Sequence, residues 1–144
     1  MWRAAYSWSR LPPRLRPWIG SSSGNRGSYD LAVCDIHAEA TSEKLAFARY
    51  FDGRLAAIWG THTHVQTSDA EVLPEGTGYL TDLGMTGPAN AVLGIAPEQS
   101  IGKFFGDPPR RYDSAKGPAK LEGCVFTIDP ETGKCLSAEG VSFT

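Results

Sequence analysis

The sequence predicts an α/β fold whose last elements are antiparallel strands. Two short apolar segments, residues 31–36 and 55–59, flank a stretch with helical periodicity, and two later pairs of strand-like segments each surround a turn rich in Gly and Pro. A strand–helix–strand unit followed by hairpins is typical of this class. At 144 residues, the chain is long enough for one domain, and two independent cores are not expected.

The first unit of the fold is a pair of parallel strands joined by a helix. Residues 31–36 (LAVCDI) are an apolar run that ends in polar residues, as buried strands do, and residues 55–59 form a second short strand. A helix between two strands crosses over in the right-handed sense and returns the chain parallel to the first strand. The two strands are therefore predicted to lie in one parallel sheet.

The helix of this unit is predicted from caps and periodicity. Thr41 or Ser42 can cap its N-terminus, Glu43 complements the dipole in its first turn, and the pair Asp52-Gly53 ends it. Three apolar residues recur at helical spacing: Leu45, Ala48 and Phe51. This face of the helix is expected to pack on the sheet.

Two hairpins are predicted in the second half of the chain. Residues 71–73 and 78–81 flank a Pro-Glu-Gly-Thr turn, and residues 121–128 and 135–143 flank the turn Asp-Pro-Glu-Thr-Gly. Both turns combine residues that favour tight chain reversal, so antiparallel pairing is expected on either side of each.

The region between the hairpins is predicted to be mostly loop. Residues 84–94 are too rich in Gly and Pro for a regular element, whereas Pro97 suits the first turn of a short helix that reaches about Phe105. Residues 106–120 are predicted as a second loop, with a short strand near Arg111-Tyr112.

Charge separates the N-terminal segment from the rest of the chain. Residues 1–30 hold five Arg and one acid, whereas residues 31–144 hold nine basic and fifteen acidic residues. The first segment has the Arg- and Ser-rich composition of an organellar transit peptide. We favour another interpretation, a shifted start or reading frame. We expect residues 1–28 to be an irregular segment and residues 29–144 to form an incomplete domain.

Composition excludes two classes of partner. The net charge of −2 gives no electrostatic basis for binding a nucleic-acid backbone, and no apolar run approaches the roughly 20 residues that cross a bilayer. Arg110, Arg111 and Tyr112 are interpreted as a solvated loop that could lie near a substrate phosphate, because the surrounding sequence is acidic.

The cysteines indicate a reducing compartment. Cys34, Cys124 and Cys135 are too few and too irregularly spaced for a disulfide framework or a zinc knuckle. Cys34 is expected to be a small buried apolar residue, and the predicted hairpin does not place Cys124 opposite Cys135. Reduced thiols and a cytoplasmic location are therefore expected.

All three histidines fall at one predicted edge of the sheet. His37 follows the first strand, and His62 and His64 follow the second; in extended backbone the latter two would project to the same side. Ligands bind at the carboxyl edge of open α/β sheets, and neutral imidazole is a common ligand of zinc, iron, manganese and nickel. Spacing alone favours a metal site only slightly over ordinary polar histidines, and three histidines do not fill a two-metal hydrolase site.

Nearby carboxylates are candidates to orient these imidazoles. Asp35 lies two residues before His37 on the same strand face, and Glu39 and Glu43 follow closely. Glu43 has the alternative role in the helix dipole. Asp82, after the strand that ends at Thr81, is a candidate to support the site, and a role in a turn fits it equally well.

Three segments resemble one branch of the calcineurin-like metallophosphoesterases, the bacterial 2′,3′-cyclic-nucleotide 2′-phosphodiesterases. They are residues 35–44 (DIHAEATSEK), 60–67 (GTHTHVQT) and 80–88 (LTDLGMTGP), in family order and at plausible spacing. The resemblance runs from about Tyr29 to the end of the chain. It implies that the chain forms the C-terminal part of a four-layer α/β/β/α sandwich.

The resemblance also implies a site and an activity. Members hydrolyse phosphodiesters of the cyclic-nucleotide type with two divalent metals, usually iron or manganese, which polarise the phosphate and lower the pKa of a bound water. His37 resembles the isolated histidine ligand of one metal, and His62 resembles the first histidine of the GTHTH loop, which binds that same metal. His64 resembles the second, which binds the other metal.

The departure from the family pattern lies in the absent N-terminal motifs. The family has an aspartate on its first strand, a Glu-Asn motif and a Gly-Asn-His motif, whereas the 144 residues contain neither Gly-Asn-His nor Gly-Glu-Asn. Half of the metal site is therefore missing, and the isolated chain is expected to be inactive. It is also expected to expose apolar surface, and so to self-associate or to pack against a missing N-terminal half.

Three functions remain open on these grounds. The first is a phosphodiesterase whose other half lies outside this sequence, and the retained histidines favour it. The second is a non-catalytic remnant domain that acts as a binding or scaffolding module, which the absent motifs favour. The third is a separately encoded N-terminal half that completes the site in trans.

Overall fold

The computed structural model describes residues 31–144. The irregular segment expected at residues 1–28 lies outside the described residues, as do the transit-peptide and shifted-frame interpretations. Within residues 31–144, neither helix has the length and apolar character needed to span a membrane.

The first sheet contains the predicted parallel unit and the first predicted hairpin. Its strands lie in the order β1-β2-β4-β3, and helix α1 connects β1 to β2. Strands β1, β2 and β4 are parallel, and β3 pairs antiparallel with β4, so both predictions are confirmed. The bounds are β1 (Val33–His37), α1 (Thr41–Phe51), β2 (Ala57–Thr61), β3 (Glu71–Val72) and β4 (Gly78–Leu80).

The second sheet is antiparallel and ends the chain. Its order is β5-β6-β7, and helix α2 precedes β6 in the sequence. The mixed α/β class with terminal antiparallel strands is therefore as predicted. The bounds are β5 (Thr86–Pro88), α2 (Pro97–Phe104), β6 (Ala119–Ile128) and β7 (Cys135–Phe143).

Two predictions about the loops are wrong. Thr86–Pro88 forms a short strand against Ala119–Leu121, although Gly and Pro predicted only loop there. A proline is tolerated because this strand lies at the edge of the sheet, where no second neighbour requires its N–H. No strand forms at Arg111-Tyr112; instead Ser114 makes an isolated bridge to Ile95.

Two boundaries also differ from the sequence prediction. Helix α1 begins at Thr41 with Ala40 as its N-cap and no side-chain cap bond, so neither Thr41 nor Ser42 caps it. Strand β2 covers Ala57–Thr61 rather than residues 55–59, because its pairing with β1 runs from Val33 opposite Ala57 to His37 opposite Thr61. His62 therefore follows the last residue of β2 directly.

The described residues form three layers: helix α1, the first sheet and the second sheet. The core lies between α1 and the first sheet and includes Cys34, Ile36, Ala48, Phe51, Ile58 and Tyr79. On the other face of that sheet, the rings of Trp59 and Phe126 stack with centroids 6.1 Å apart. A Cβ at Gly78 would lie 2.5 Å from Phe126 and 2.7 Å from Cys135, so the second sheet packs closely on this face.

Gly60 marks the closest approach between β2 and its neighbours. A Cβ at this position would lie 1.9 Å from the carbonyl oxygen of Thr81 and 2.8 Å from Cδ of Lys44. Lys44 is a residue of α1 and is fully buried. The missing side chain of Gly60 therefore leaves the space that the Lys44 side chain occupies against the sheet.

We predict that Gly60→Ala lowers the free energy of unfolding by at least about 1–3 kcal/mol, because the added methyl group overlaps backbone atoms that cannot move aside. Urea unfolding followed by circular dichroism measures this. The matched control is Gly123→Ala in β6, where the nearest atom to an added Cβ is 3.9 Å away. Equal stability of the two variants would contradict this account of Gly60.

Candidate metal centre

His37 and His62 meet at the carboxyl edge of the parallel strands. His37 is the last residue of β1, and His62 follows β2. Nε2 of His37 and Nδ1 of His62 are 3.2 Å apart, and the two rings meet edge to face with centroids 5.0 Å apart. Both residues are exposed at the surface of the described part of the chain. The structure thus brings together two of the three predicted ligands.

The spacing of these two nitrogens fits a shared metal ion. Nitrogen ligands bind such ions at roughly 2.0–2.1 Å, so two ligands at angles between octahedral and tetrahedral are about 2.9–3.4 Å apart. The observed 3.2 Å lies within that interval. The distance between the two nitrogens is therefore compatible with one shared ion.

His64 does not join this pair. It is exposed and has a left-handed backbone with φ of 62°, whereas His62 has φ of 127°. The segment is therefore not the extended backbone assumed from the sequence. Residues 31–144 contain no group of three or more His, Cys, Asp and Glu side chains placed to hold a metal.

His62 and His64, which both have positive φ, flank Thr63, whose backbone N–H donates to the buried carboxylate of Asp82. The N–H of Thr63 donates to Oδ2 of Asp82 at 3.0 Å, and the N–H of Gly84 donates to Oδ1 at 3.0 Å. Positive φ in a residue with a large side chain persists only where surrounding contacts enforce it. Asp82 supplies such a contact between His62 and His64.

A buried lysine completes the surroundings of Asp82. Nζ of Lys44 donates to Oδ2 of Asp82 at 2.9 Å, and both side chains are almost completely buried. Burial acts to raise the pKa of Asp82, but the hydrogen bonds from Lys44, Thr63 and Gly84 outweigh it and hold that pKa below its usual value. Asp82 is therefore ionised at neutral pH and carries the charge that Lys44 balances.

The other candidate carboxylates lie in different settings. Asp35 reaches His37 only through Thr61, whose hydroxyl donates to Oδ1 of Asp35 at 3.1 Å and lies 3.1 Å from Nδ1 of His37. Glu39 is exposed, and its carboxylate makes no hydrogen bond within residues 31–144. Glu43 lies in the first turn of α1, as its role in the helix dipole predicts.

Gln66 ties the histidine loop to the second sheet. Its Nε2 donates to the carbonyl oxygens of Gly123 at 2.7 Å and Val141 at 3.1 Å, and lies 3.3 Å from that of Leu83. These acceptors belong to β6, β7 and the segment after β4. The loop that carries His62 and His64 is thus held from both sheets.

The supporting residues Lys44, Thr61 and Gln66 were not predicted from the sequence. Lys44 and Gln66 belong to segments whose motifs resemble the family, but a lysine in an amphipathic helix normally indicates a solvated face. The one available signal for Lys44 was Gly60, since a glycine inside an apolar strand often marks a close approach.

The basic residues of the loop after α2 form a separate feature. Arg110 and Tyr112 line a shallow cavity of about 240 Å³ together with Lys103, whose Nζ lies 6.0 Å from the centre of the Tyr112 ring. The cavity also contains the acid Asp107 and two prolines. The cavity has cationic and aromatic groups on its surface. That this loop lies near a substrate phosphate stays a prediction.

Solved structures define the class of protein to which this fold belongs. A structure described as a novel phosphatase, from Mycoplasma pneumoniae, matches with a TM-score of 0.80 and 38% identity, over 90% of this chain and 46% of that one. A hypothetical protein from Thermus thermophilus matches with a TM-score of 0.78 and 36% identity, over 90% and 50% of the two chains. The fold is that of a phosphoesterase family.

The chain belongs to the YmdB-like protein family, whose profile matches residues 19–141. The 2′,3′-cyclic-nucleotide 2′-phosphodiesterase of Bacillus subtilis (strain 168) is 50% identical over 136 residues, which cover 91% of this chain and 51% of the relative. The predicted family branch is therefore confirmed. The profile match begins before residue 29, where the motifs placed the boundary. The chain spans about half the length of the relatives it matches.

We predict a strong energetic coupling between Lys44 and Asp82. Lys44→Met or Asp82→Asn alone should lower the free energy of unfolding by about 3–5 kcal/mol, because each leaves the partner's charge buried without its counter-ion. The double variant should lose clearly less than the two single losses combined, with a coupling of about 0.5–3 kcal/mol. Urea unfolding of the four proteins measures the cycle.

The control for this cycle is the exposed ion pair between Arg49 and Glu71, whose Nη2 and Oε1 atoms are 3.1 Å apart. Removing either residue there should change stability by no more than about 1 kcal/mol, since solvent screens the pair. Equal coupling in the two cycles would show that burial adds nothing to the Lys44–Asp82 pair.

The lowered pKa of Asp82 also predicts a dependence of stability on pH. The stabilisation that ionised Asp82 gives the folded chain is fully present above the ordinary aspartate pKa of about 3.8. It is lost as the pH falls from there through the lowered pKa of Asp82 in the folded chain. The free energy of unfolding, measured between pH 6 and about 2, should therefore fall less steeply in Asp82→Asn than in the unaltered chain. Asp107→Asn, an exposed control, should keep the original slope; an unchanged slope in Asp82→Asn would contradict the assignment.

Proposed function

We propose that this chain supplies part of the active site of a metal-dependent phosphodiesterase that hydrolyses phosphodiesters of the cyclic-nucleotide type. The observation that carries the proposal is the His37–His62 pair, with nitrogens 3.2 Å apart at the carboxyl edge of a parallel sheet. The relative from Bacillus subtilis is named for the same substrate class. That relation supports the substrate, and the histidine geometry supports the metal.

The chain's residues have distinct roles in this proposal. His37 and His62 would hold one divalent ion, and His64 would hold a second; iron and manganese are the expected metals. When bound, such ions polarise a phosphate and make an activated water available near neutral pH. Asp82 holds the loop between the two ligands His62 and His64 through the Thr63 N–H.

We further propose that the other ligands of the two-metal site come from a segment outside these 144 residues. Among residues 31–144, strand β1 lies at the edge of the first sheet; Val33, its first residue, and Leu31, just before it, are about half exposed. An uncovered strand edge with apolar side chains is suited to pairing with another segment. A missing N-terminal half would cover this edge; self-association of the chain is the other way to do so.

A non-catalytic binding or scaffolding module is the alternative function. The observation in its favour is that residues 31–144 contain no group of three ligands placed around one metal position. Under this alternative, the histidine pair is a remnant and the Asp82 network serves stability alone. The two functions differ in whether a complementing half restores metal binding.

A cytoplasmic location is part of the same proposal. Cys34, Cys124 and Cys135 are all free thiols, and Cys34 and Cys135 are buried. Burial, with a smaller contribution from Asp35, raises the pKa of Cys34 to about 11, so this thiol stays protonated and unreactive. A reducing compartment suits three unpaired cysteines.

The test is complementation with the N-terminal half of the Bacillus subtilis relative. We predict that the full chain, co-expressed with that half in medium containing Mn²⁺, forms a complex that holds two metal ions and hydrolyses bis-p-nitrophenyl phosphate and a 2′,3′-cyclic nucleotide. The chain alone should bind metal weakly and show no turnover. Metal content of the purified complex and phosphate-ester hydrolysis are the two measurements.

His62→Ala is the decisive variant, because it removes a proposed ligand from an exposed position without disturbing the core. It should abolish turnover of the complex, whereas Thr127→Val in the exposed part of β6 should leave it unchanged. A folded complex that neither binds metal nor hydrolyses either substrate would favour the scaffolding alternative. Two tightly held metals and turnover by the chain alone would contradict the incomplete site.

A further inference from the structure

We infer that Thr61 is a positioning residue that sets the tautomer of His37. Its hydroxyl, oriented by Asp35, keeps the proton of His37 on Nδ1, so that Nε2 presents its lone pair toward the position shared with Nδ1 of His62. The inference rests on the proposed metal site for its purpose. The tautomer itself is a property of the metal-free chain and can be measured there.

A continuous chain of hydrogen-bonding groups links Asp35 to the histidine pair. Oγ1 of Thr61 lies 3.1 Å from Oδ1 of Asp35 and 3.1 Å from Nδ1 of His37. Nε2 of His37 lies 3.2 Å from Nδ1 of His62. All three links are at the long end of hydrogen-bond distances, and no link joins Asp35 directly to an imidazole.

The direction of the bonds follows from the number of protons available. A carboxylate only accepts, and a hydroxyl donates one proton while its lone pairs accept. The Thr61 proton is therefore used on Asp35, and the Thr61 oxygen must accept from His37. Nδ1 of His37 then carries hydrogen, which in the neutral ring leaves Nε2 unprotonated.

The opposite direction is less favourable. If Thr61 donated to Nδ1 of His37, Oδ1 of Asp35 would lose its donor and face the oxygen of Thr61 with lone pairs on both sides. Asp35 and Thr61 are both half-buried, so water replaces a lost bond poorly at this position. The Asp35 carboxylate thus selects one orientation of the Thr61 hydroxyl.

Backbone pairing holds the three groups in place. His37 lies directly opposite Thr61 in the parallel register, and Asp35 lies two residues earlier on the same face of β1. Thr61 is β-branched, so its χ1 angle is restricted and the hydroxyl direction with it. The hydrogen-bonded group of Asp35, Thr61 and His37 is therefore built on strands rather than on the strained loop that begins at His62.

The consequence concerns which nitrogens are free to bind a metal. With His37 protonated at Nδ1, the 3.2 Å contact is a hydrogen bond that Nε2 of His37 accepts from Nδ1–H of His62. With its proton on Nδ1, His37 already has the free lone pair on Nε2 that a metal ligand needs. Without Thr61, the proton of His37 could lie on Nε2 instead, and it would have to leave that atom before Nε2 could bind an ion.

The test uses the full chain with ¹⁵N-labelled imidazoles. The chain has only three histidines, so each ring gives a separable signal in ¹⁵N–¹H spectra. We predict that metal-free wild-type chain shows His37 protonated at Nδ1 and that Thr61→Val, which keeps the size and branching, loses this preference. Thr61→Ser should retain it, because the hydroxyl remains.

A second variant removes the carboxylate that orients the Thr61 hydroxyl. Asp35→Ala frees the Thr61 proton to donate to Nδ1 of His37, so the His37 proton should move to Nε2. In the complemented complex, Thr61→Val should bind Mn²⁺ about 10–100-fold more weakly, as is usual when the partner that orients a ligand is lost. Thr127→Val, an exposed strand threonine elsewhere, is the matched control for both measurements.

The outcomes separate this inference from the proposed function. Loss of the Nδ1 preference in Thr61→Val, with retention in Thr61→Ser, supports the inference. If the complex in the same experiments binds no Mn²⁺, that absence of binding counts against the proposed function and not against the inference. A wild-type tautomer in folded Thr61→Val and Asp35→Ala chains would overturn the inference, whatever metal the complex holds.

Discussion

The buried ion pair between Lys44 and Asp82 is the interaction on which the candidate site depends. Two charges removed from water carry a large desolvation cost, and their attraction offsets it only when further hydrogen bonds complete the arrangement. Here the N–H groups of Thr63 and Gly84 do so. An apolar pair of the same size could stabilise the core equally well, but it could not hold these two backbone groups. The pair therefore fixes conformation as well as stability.

The same network explains why distant parts of the sequence act together. Lys44 belongs to helix α1, Asp82 follows β4, and the loop whose Thr63 N–H donates to Asp82 follows β2. Gln66 extends the connection to the second sheet through carbonyl groups of β6 and β7. The position of His62 thus depends on the packing of all three layers, rather than on the local sequence Gly-Thr-His-Thr-His alone.

The sequence predicted the parts of the structure that depend on local pattern. The apolar runs, the helical periodicity and the two turns identified most of the elements, and the position of the histidines after strands predicted which edge they share. Short strand β5 was missed because three residues with Gly and Pro become a strand only through pairing with distant β6. The bounds of β2 were displaced for a similar reason, since its register is set by β1.

The candidate site was less predictable because its support is long-range. A helical lysine normally indicates solvent, and only the three-dimensional neighbourhood of Gly60 shows that Lys44 points inward. Asp35 was expected near an imidazole, but the intervening Thr61 is visible only once β1 and β2 are aligned residue by residue. Residue types locate the ligands in such a site, whereas the tautomers and loop geometry depend on register.

The left-handed backbone at His62 places the proposed metal binding and folding in opposition. With φ of 127°, this position would be occupied more comfortably by glycine, which adopts such angles without steric cost. A protein selected only for stability would therefore replace His62, and one selected for a nitrogen ligand retains it and accepts the strain. Random mutagenesis screened for thermal resistance alone would be expected to enrich glycine at this residue, and so to trace the proposed binding edge without any ligand present.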